Sequence, residues 1–306
     1  MANKLLIAVD GSAESMSTVN YVAQTMLPSE TEVVLHHVFS RIPESFWDLE
    51  QTPESDVWMK KLKAEEHEHE KVVKAFMEDA RQTFLAADFR EQLVTVEISD
   101  RKVGIARDIA AEARNGYSGL IMGRTGTGQL GGLAVGSVSN KVLGMLPGLN
   151  MCVVSGKPEF EKVIVALDGS EGSMRALDYL CSLKHGLDRE VILFHAMRRI
   201  GFRQTKPLES VEKMVWKDAQ KMIAPIMETA KKRLIKAGHS EANISSKIVT
   251  GVSSRAGALV DEAKKSNCGT IMVGRTGVSQ VEDFNIGRVS TKVIHRAQDM
   301  AVWVVA

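Results

Sequence analysis

The chain is 306 residues long, which at roughly 100–200 residues per domain predicts two domains, each large enough for its own core. Lysine plus arginine number 39 against 38 for aspartate plus glutamate, so the net charge of +1 leaves no bulk positive field to hold nucleic acid or an anionic membrane. With 44% hydrophobic and 25% charged residues, the composition also excludes a disordered, collagen-like or coiled-coil chain.

From the amino terminus, Lys4–Val9 reads as a first strand and Ser12–Met26 as a helix with Ser12 as its N-cap. Glu32–Phe39 is expected as the second strand, Val57–Ala87 as a long helix, Gln92–Ile98 as the third strand and Ile105–Asn115 as a helix. Gly119–Met122 is the fourth strand, Ser137–Met145 a helix capped by Ser137, and Asn150–Val154 the fifth strand. The pattern then begins again and runs from Lys162 to Ala306. LLIAVDGSAESM from Leu5 matches VIVALDGSEGSM from Val163 at an offset of 158, while GLIMGRTG from Gly119 matches GTIMVGRTG from Gly269, with Gly123 and Gly274 offset by 151. The first copy therefore carries seven extra residues, expected around Arg41 to Lys60. A period of about 150 residues is a domain duplication rather than a solenoid or propeller. SGKPE (Ser155–Glu159) reads as the linker, giving domains over 1–155 and 160–306. Strict alternation of strand and helix predicts an α/β class, two tandem doubly wound parallel five-stranded sheets of Rossmann-like type. The final strands, Met151–Val154 and Ala301–Val305, are apolar edges and are expected to pair, making an internal pseudo-dimer.

The three cysteines, Cys152, Cys181 and Cys268, lie in or beside apolar runs and suit a reducing compartment. No early apolar core long enough for a signal peptide and no run of about 18 apolar residues occurs, so a cytoplasmic address is expected, without membrane or nucleic-acid partners.

In a doubly wound sheet a ligand settles beyond the strand ends where the strand order reverses, here after strands one and four. Strand one ends in Asp10-Gly11-Ser12, and strand four opens a glycine-rich stretch from Gly123 to Gly136-Ser137 at the head of a helix. Glycines allow close backbone approach and a helix head offers unpaired amides, so such a loop suits an anion. No carboxylate lies between Glu112 and Glu159, a span that holds Arg114, Arg124 and Lys141. Three other motifs fail on context. The GxGxxG match at Gly126–Gly131 follows the wrong strand, the segment Gly131–Ser137 has no lysine before its serine, and no GxSxG elbow is present. His67 and His69 stand two apart on a helix and read as a solvated face, not a metal site. His37 and its counterpart His195 are expected to be structural or to line the crevice.

The spacing Gly123-x2-Gly126-x9-Gly136-Ser137, with the VDGS closing strand one, resembles the ATP-binding subgroup of the universal stress protein family, twice over. The resemblance implies a sheet order of 3-2-1-4-5, dimerisation through the last strand, and ATP between strands one and four. It implies that Asp10 lies near ribose and adenine, and that Val38 offers its backbone to the adenine edge. Gly123, Gly126 and Gly136 would shape the phosphate loop, and the Ser137 hydroxyl with the Ser137 and Val138 amides would bond the phosphates. Mg or Mn would be held by phosphate and water, with no dedicated metal ligands. In copy two the counterparts are Asp168, Ala196, Gly274, Gly277 and Gly287, but Arg288 replaces Ser137, and Glu282 and Asp283 enter the loop. Counting loop charges gives +2 for copy one and +1 for copy two, so copy two is expected to bind ATP weakly, to take AMP or ADP, or to stay empty. The functional expectation is a nucleotide-binding stress or signalling protein acting on partners of unknown identity. Alternatives are a slow ATPase or phosphotransferase using Asp10, Thr125, Thr127 or Ser137, and a scaffold without nucleotide. A homodimer of the whole chain is left open.

Overall fold

The computed structural model describes residues 3–42, 53–126, 135–183, 187–199, 209–277 and 286–306, apart from the side chains of 53–56 and 209–210. The first half forms β1 (Asn3–Ala8), α1 (Ala13–Thr25), β2 (Thr31–Phe39), α2 (Pro53–Ala86), a 3-10 turn (Glu91–Leu93), β3 (Val94–Asp100), α3 (Ile105–Glu112), β4 (Gly119–Gly123), α4 (Ser137–Met145) and β5 (Asn150–Val154). The second half repeats it with β6 (Lys162–Ala166), α5 (Glu171–Ser182), β7 (Glu190–Arg198), α6 (Glu209–Lys236), a 3-10 turn (Glu241–Asn243), β8 (Ile244–Val252), α7 (Arg255–Lys265), β9 (Thr270–Gly274), α8 (Arg288–Arg296) and β10 (Ala301–Val305).

The strands join one ten-stranded sheet in the order β3-β2-β1-β4-β5-β10-β9-β6-β7-β8. Each half runs 3-2-1-4-5 with parallel neighbours, and the two expected sheets are one continuous surface because β5 and β10 pair antiparallel. Central parallel strands are covered on both faces and so read as unbroken apolar runs. Leu5, Leu6 and Ile7 are accordingly all fully buried. Leu5 and Ile7 pack with Val19, Val22, Met77 and Phe84 of α1 and α2, whereas Leu6 packs with Ile109 and Val142 of α3 and α4. At roughly 1.5–3 kcal/mol for each large aliphatic side chain buried, these two layers are the main stabilising term.

Trp303 and Cys152, which hold equivalent places in the two copies, face each other across the β5–β10 junction. The small thiol leaves room for the indole, whose N–H donates to the Tyr21 hydroxyl at 3.1 Å, and that hydroxyl also bonds Thr270 at 3.0 Å. The Tyr179 ring lies 5.2 Å from the indole. Burial raises the Cys152 thiol well above its usual range and pushes Cys181 and Cys268 up to about 11, so all three remain protonated near neutrality.

Several boundaries depart from the sequence reading. Gln92 lies in the 3-10 turn rather than opening β3, and α3 stops at Glu112, in a segment that turns at Gly116 with φ +83°. Ser12 does cap α1, its Oγ accepting from the Ser15 N–H at 3.1 Å. Ser137 does not cap α4. Gly136 takes that position, drawn into extended backbone by its own N–H bond to the Arg124 carbonyl at 2.7 Å, and Ser137 becomes the first helical residue. Among the described residues α2 has 34 residues against 28 in α6, and the stretches before them, 43–52 and 200–208, lie outside the described residues.

Candidate functional site

The chain leaves β1 toward β2 on one side and finds β4 on the other, so the loops after β1 and β4 flank a crevice at the strand ends. At its edge the head of α1 organises Asp10. The Oδ1 atom accepts from the Ser12 N–H at 3.1 Å and from the Ser15 hydroxyl at 2.6 Å, and the Asp10 N–H donates to Ser15 Oγ at 3.0 Å. Gly11, with φ +85°, makes the turn between them. The other oxygen, Oδ2, faces Gly126, where a Cβ would overlap it. Asp10 is therefore a turn residue through Oδ1, while its Oδ2 lies against the loop that follows β4.

The β4 loop is clasped at its base. Arg124 N–H donates to the Val154 carbonyl and its own carbonyl accepts from Gly136 N–H, both at 2.7 Å, and Ser139 Oγ donates to the Gly123 carbonyl at 2.8 Å. The first intrahelical bond of α4 runs from Asn140 N–H to the Gly136 carbonyl at 3.0 Å. The amides of Ser137, Val138 and Ser139 thus have no acceptor within the helix, and they carry the positive end of its dipole. The Ser137 side chain is exposed beside them.

On the other wall, the Val9 N–H donates to the His36 carbonyl at 3.0 Å. Alternate residues of a strand present their backbone groups to the same neighbour, so Val38 points its N–H and carbonyl to the β1 side, past the end of that strand. The sequence spacing alone does not give this orientation. His37 Nδ1 lies 2.9 Å from the Val9 carbonyl and His195 Nδ1 lies 2.6 Å from the Leu167 carbonyl. A carbonyl only accepts, so both rings donate, pinning the end of the first strand in each half. Burial holds the His37 pKa below its ordinary value, an effect partly offset by that bond. His69 stacks on Phe39 at 5.2 Å, and among the described residues no His, Cys, Asp and Glu grouping could hold a metal ion.

Copy two reproduces the frame. Asp168 Oδ1 accepts from the Ser170 N–H at 3.0 Å and from its hydroxyl at 2.5 Å, and a Cβ on Gly277 would come within 2.7 Å of Asp168 Oδ2. Gly287 N–H donates to the Arg275 carbonyl and Ser290 Oγ to the Gly274 carbonyl, both at 2.7 Å. The buried Ala196 matches Val38, and the exposed Arg288 opens α8 where Ser137 opens α4.

The loop charges differ from the sequence count. Arg124 is only 3% exposed and sends its guanidinium out of its own loop to the His295 carbonyl at 2.7 Å and the Ala297 carbonyl at 3.1 Å. Arg275 does the same in reverse, reaching the Leu143 carbonyl at 3.0 Å and the Leu146 carbonyl at 2.6 Å. Burial lowers the Arg275 pKa to about 10, so the group stays charged at neutral pH. Both guanidinium groups thus reach the helix end of the other half rather than the loop in which the sequence count placed their charge. Glu14 joins the count instead. It packs beside Gly123 at the foot of the loop, with Oε1 accepting from the Gly156 N–H at 3.1 Å, whereas its counterpart Gly172 has no side chain and packs against the Thr276 carbonyl. Thr127, Gly131, Glu282 and Asp283 lie outside the described residues.

The model of the universal stress protein family matches residues 1–147 and again 159–305. A universal stress protein of Bacillus subtilis is 26% identical over 144 residues, 44% of this chain and 91% of that protein. Another from Methanocaldococcus jannaschii is 22% identical over 152 residues, 49% of this chain and 84% of that protein. The crystal structure of a universal stress protein from Archaeoglobus fulgidus covers 100% of this chain and 98% of its own, with TM-score 0.60 and 18% identity, a likeness of fold. With both halves matched by one family model, and a crevice of the same construction in each, this chain belongs to the universal stress protein family as a tandem member.

Proposed function

We propose that the amino-terminal half binds a nucleoside triphosphate, ATP first among them, in the crevice between Asp10 and the loop after β4, and that occupancy alters the shape or partner choice of the protein. The observation that carries this reading is the pairing of Gly126 with Asp10. A position with no room for a side chain sits against an oriented carboxylate, on a loop that leads to helix-head amides with no acceptor within the helix. Asp10 Oδ2 is suited to accept from a ribose hydroxyl, and the Val38 backbone to pair with the adenine edge. Gly123, Gly126 and Gly136 let the chain bend around the phosphates, which take bonds from the Ser137 hydroxyl and the Ser137 and Val138 amides. A Mg or Mn ion would travel with the nucleotide, held by phosphate oxygens and water.

Copy two is proposed to hold nucleotide weakly, to take a less charged one such as AMP, or to stay empty. Support comes from Arg288 in the place of the Ser137 hydroxyl and from the Thr276 carbonyl packed against Gly172. The reading is one of occupancy rather than turnover. Native mass spectrometry of freshly purified protein, followed by calorimetric titration with ATP, tests it: one tight site per chain is expected. No binding would refute the nucleotide reading, and two equal tight sites would refute the asymmetry. ADP release above about 1 per second would place the protein among ordinary enzymes instead.

A further inference from the structure

Arg124 and Arg275 each do two things with one residue. The carbonyl of Arg124 clasps the Gly136 N–H at 2.7 Å and so closes the first loop, while its guanidinium crosses to the last turn of α8 at His295 and Ala297. The helix α8 begins at Arg288, directly after Gly287, whose N–H is clasped at 2.7 Å by the Arg275 carbonyl. The guanidinium of Arg275 returns to the last turn of α4 at Leu143 and Leu146, and α4 begins directly after Gly136. The contacts therefore form a closed circuit: loop one, Arg124, α8, loop two, Arg275, α4, loop one.

Each guanidinium meets carbonyls that a helix leaves unpaired at its negative end, which is why a buried arginine is tolerated there. Both helices have nine residues, about 13 Å of rise, short enough to move as rigid units. They face each other across a cleft of about 210 Å³ lined by Leu143 and Ile294, so the space between them is incompletely filled.

We infer that Arg124 and Arg275 are positioning residues that couple the two loops, so that a change at one loop is delivered to the helix that opens from the other. The mechanical link rests on the hydrogen bonds; the use of a nucleotide as its trigger rests on the function proposed above. Allosteric couplings commonly change affinity or opening by about 5- to 150-fold, which sets the size of effect to look for.

Hydrogen–deuterium exchange on the full chain tests the link without ligand. In Gly136→Ala a Cβ would lie 3.1 Å from the Arg124 carbonyl, forcing that clasp to shift. Amides of 291–297 in α8 are expected to exchange about fivefold faster or more, with those of α2 unchanged. A second arm adds ATP to Gly277→Val, whose second site is obstructed beside Asp168. The same α8 amides are expected to slow with occupancy of the first site, and Arg124→Gln in that background is expected to remove the response while Arg124→Lys keeps part of it. Exchange in α8 within twofold of the unsubstituted protein in the first arm overturns the coupling, as does an acceleration spread equally over α2. An α8 response in the first arm with no calorimetric sign of nucleotide would support the mechanical link and remove only the nucleotide reading.

Discussion

Replacing Gly126 by alanine adds one methyl where the Asp10 carboxylate stands, and it is the smallest change that tests the crevice. The new Cβ would overlap Asp10 Oδ2, so the carboxylate must rotate or the loop must withdraw. Rotation breaks the bonds that Oδ1 accepts from the Ser12 N–H at 3.1 Å and the Ser15 hydroxyl at 2.6 Å. A hydrogen bond to a charged group contributes about 1.5–3 kcal/mol, so losing the one that Asp10 offers the ribose weakens ATP binding by roughly 10- to 150-fold. Withdrawal of the loop moves the α4 amides from the phosphates and costs at least as much. Calorimetric titration of the Gly126→Ala protein measures the affinity, and thermal melting monitors the fold, which the change leaves largely intact because the site is at a strand end and outside the core. Gly277→Ala provides the comparison, since there the corresponding Cβ would stand 2.7 Å from Asp168 Oδ2 and the conflict is milder. Affinity within twofold of the unsubstituted protein would show that nucleotide does not lie between Asp10 and this loop.

Other outcomes follow from the geometry. Ser12→Ala removes a true N-cap and is expected to lower stability by about 0.5–2 kcal/mol, whereas Ser137→Ala, at a first helical position without a capping bond, changes it by less than about 0.5 kcal/mol while weakening ATP binding; urea melts of the two variants check the contrast. Trp303→Ala empties the junction of the two halves and leaves the Tyr21 hydroxyl with Thr270 in place of two partners, costing about 3–5 kcal/mol, and a urea midpoint equal to that of the unsubstituted protein would contradict the packing described. Burial lowers the pKa of His36 and of His37 in the folded state, so the unfolded chain binds more protons below the ordinary histidine value. Their contribution is fully present above about pH 6.5 and is lost as pH falls below it, by at most about 1.4 kcal/mol per pH unit for each ring. Urea midpoints at pH 7.5 and 5.5 should show the decline, reduced in a protein carrying both His36→Asn and His37→Asn; an equal decline there would assign it to other groups.

What the amino-acid order determined by itself is whatever is periodic or repeated. The duplication, the strand–helix alternation, the pairing of two apolar terminal strands, and the glycine spacing beside an aspartate are all legible, because each is carried by near neighbours in the chain. The reach of long side chains is not. In the sequence Arg124 and Arg275 stand beside glycines and count as loop charges, yet their partners Ala297 and Leu143 lie 173 and 132 positions away. Only the antiparallel joining of β5 to β10 brings those helix ends within range, where unpaired carbonyls attract a guanidinium more strongly than an open loop does. Glu14 enters the loop for the same reason, delivered by the packing of α1 beside β4 and invisible to a count of charges along the chain. The tertiary structure likewise decided that Gly136, not Ser137, caps α4, since a backbone clasp to a residue twelve positions earlier outweighs the local preference for a serine cap.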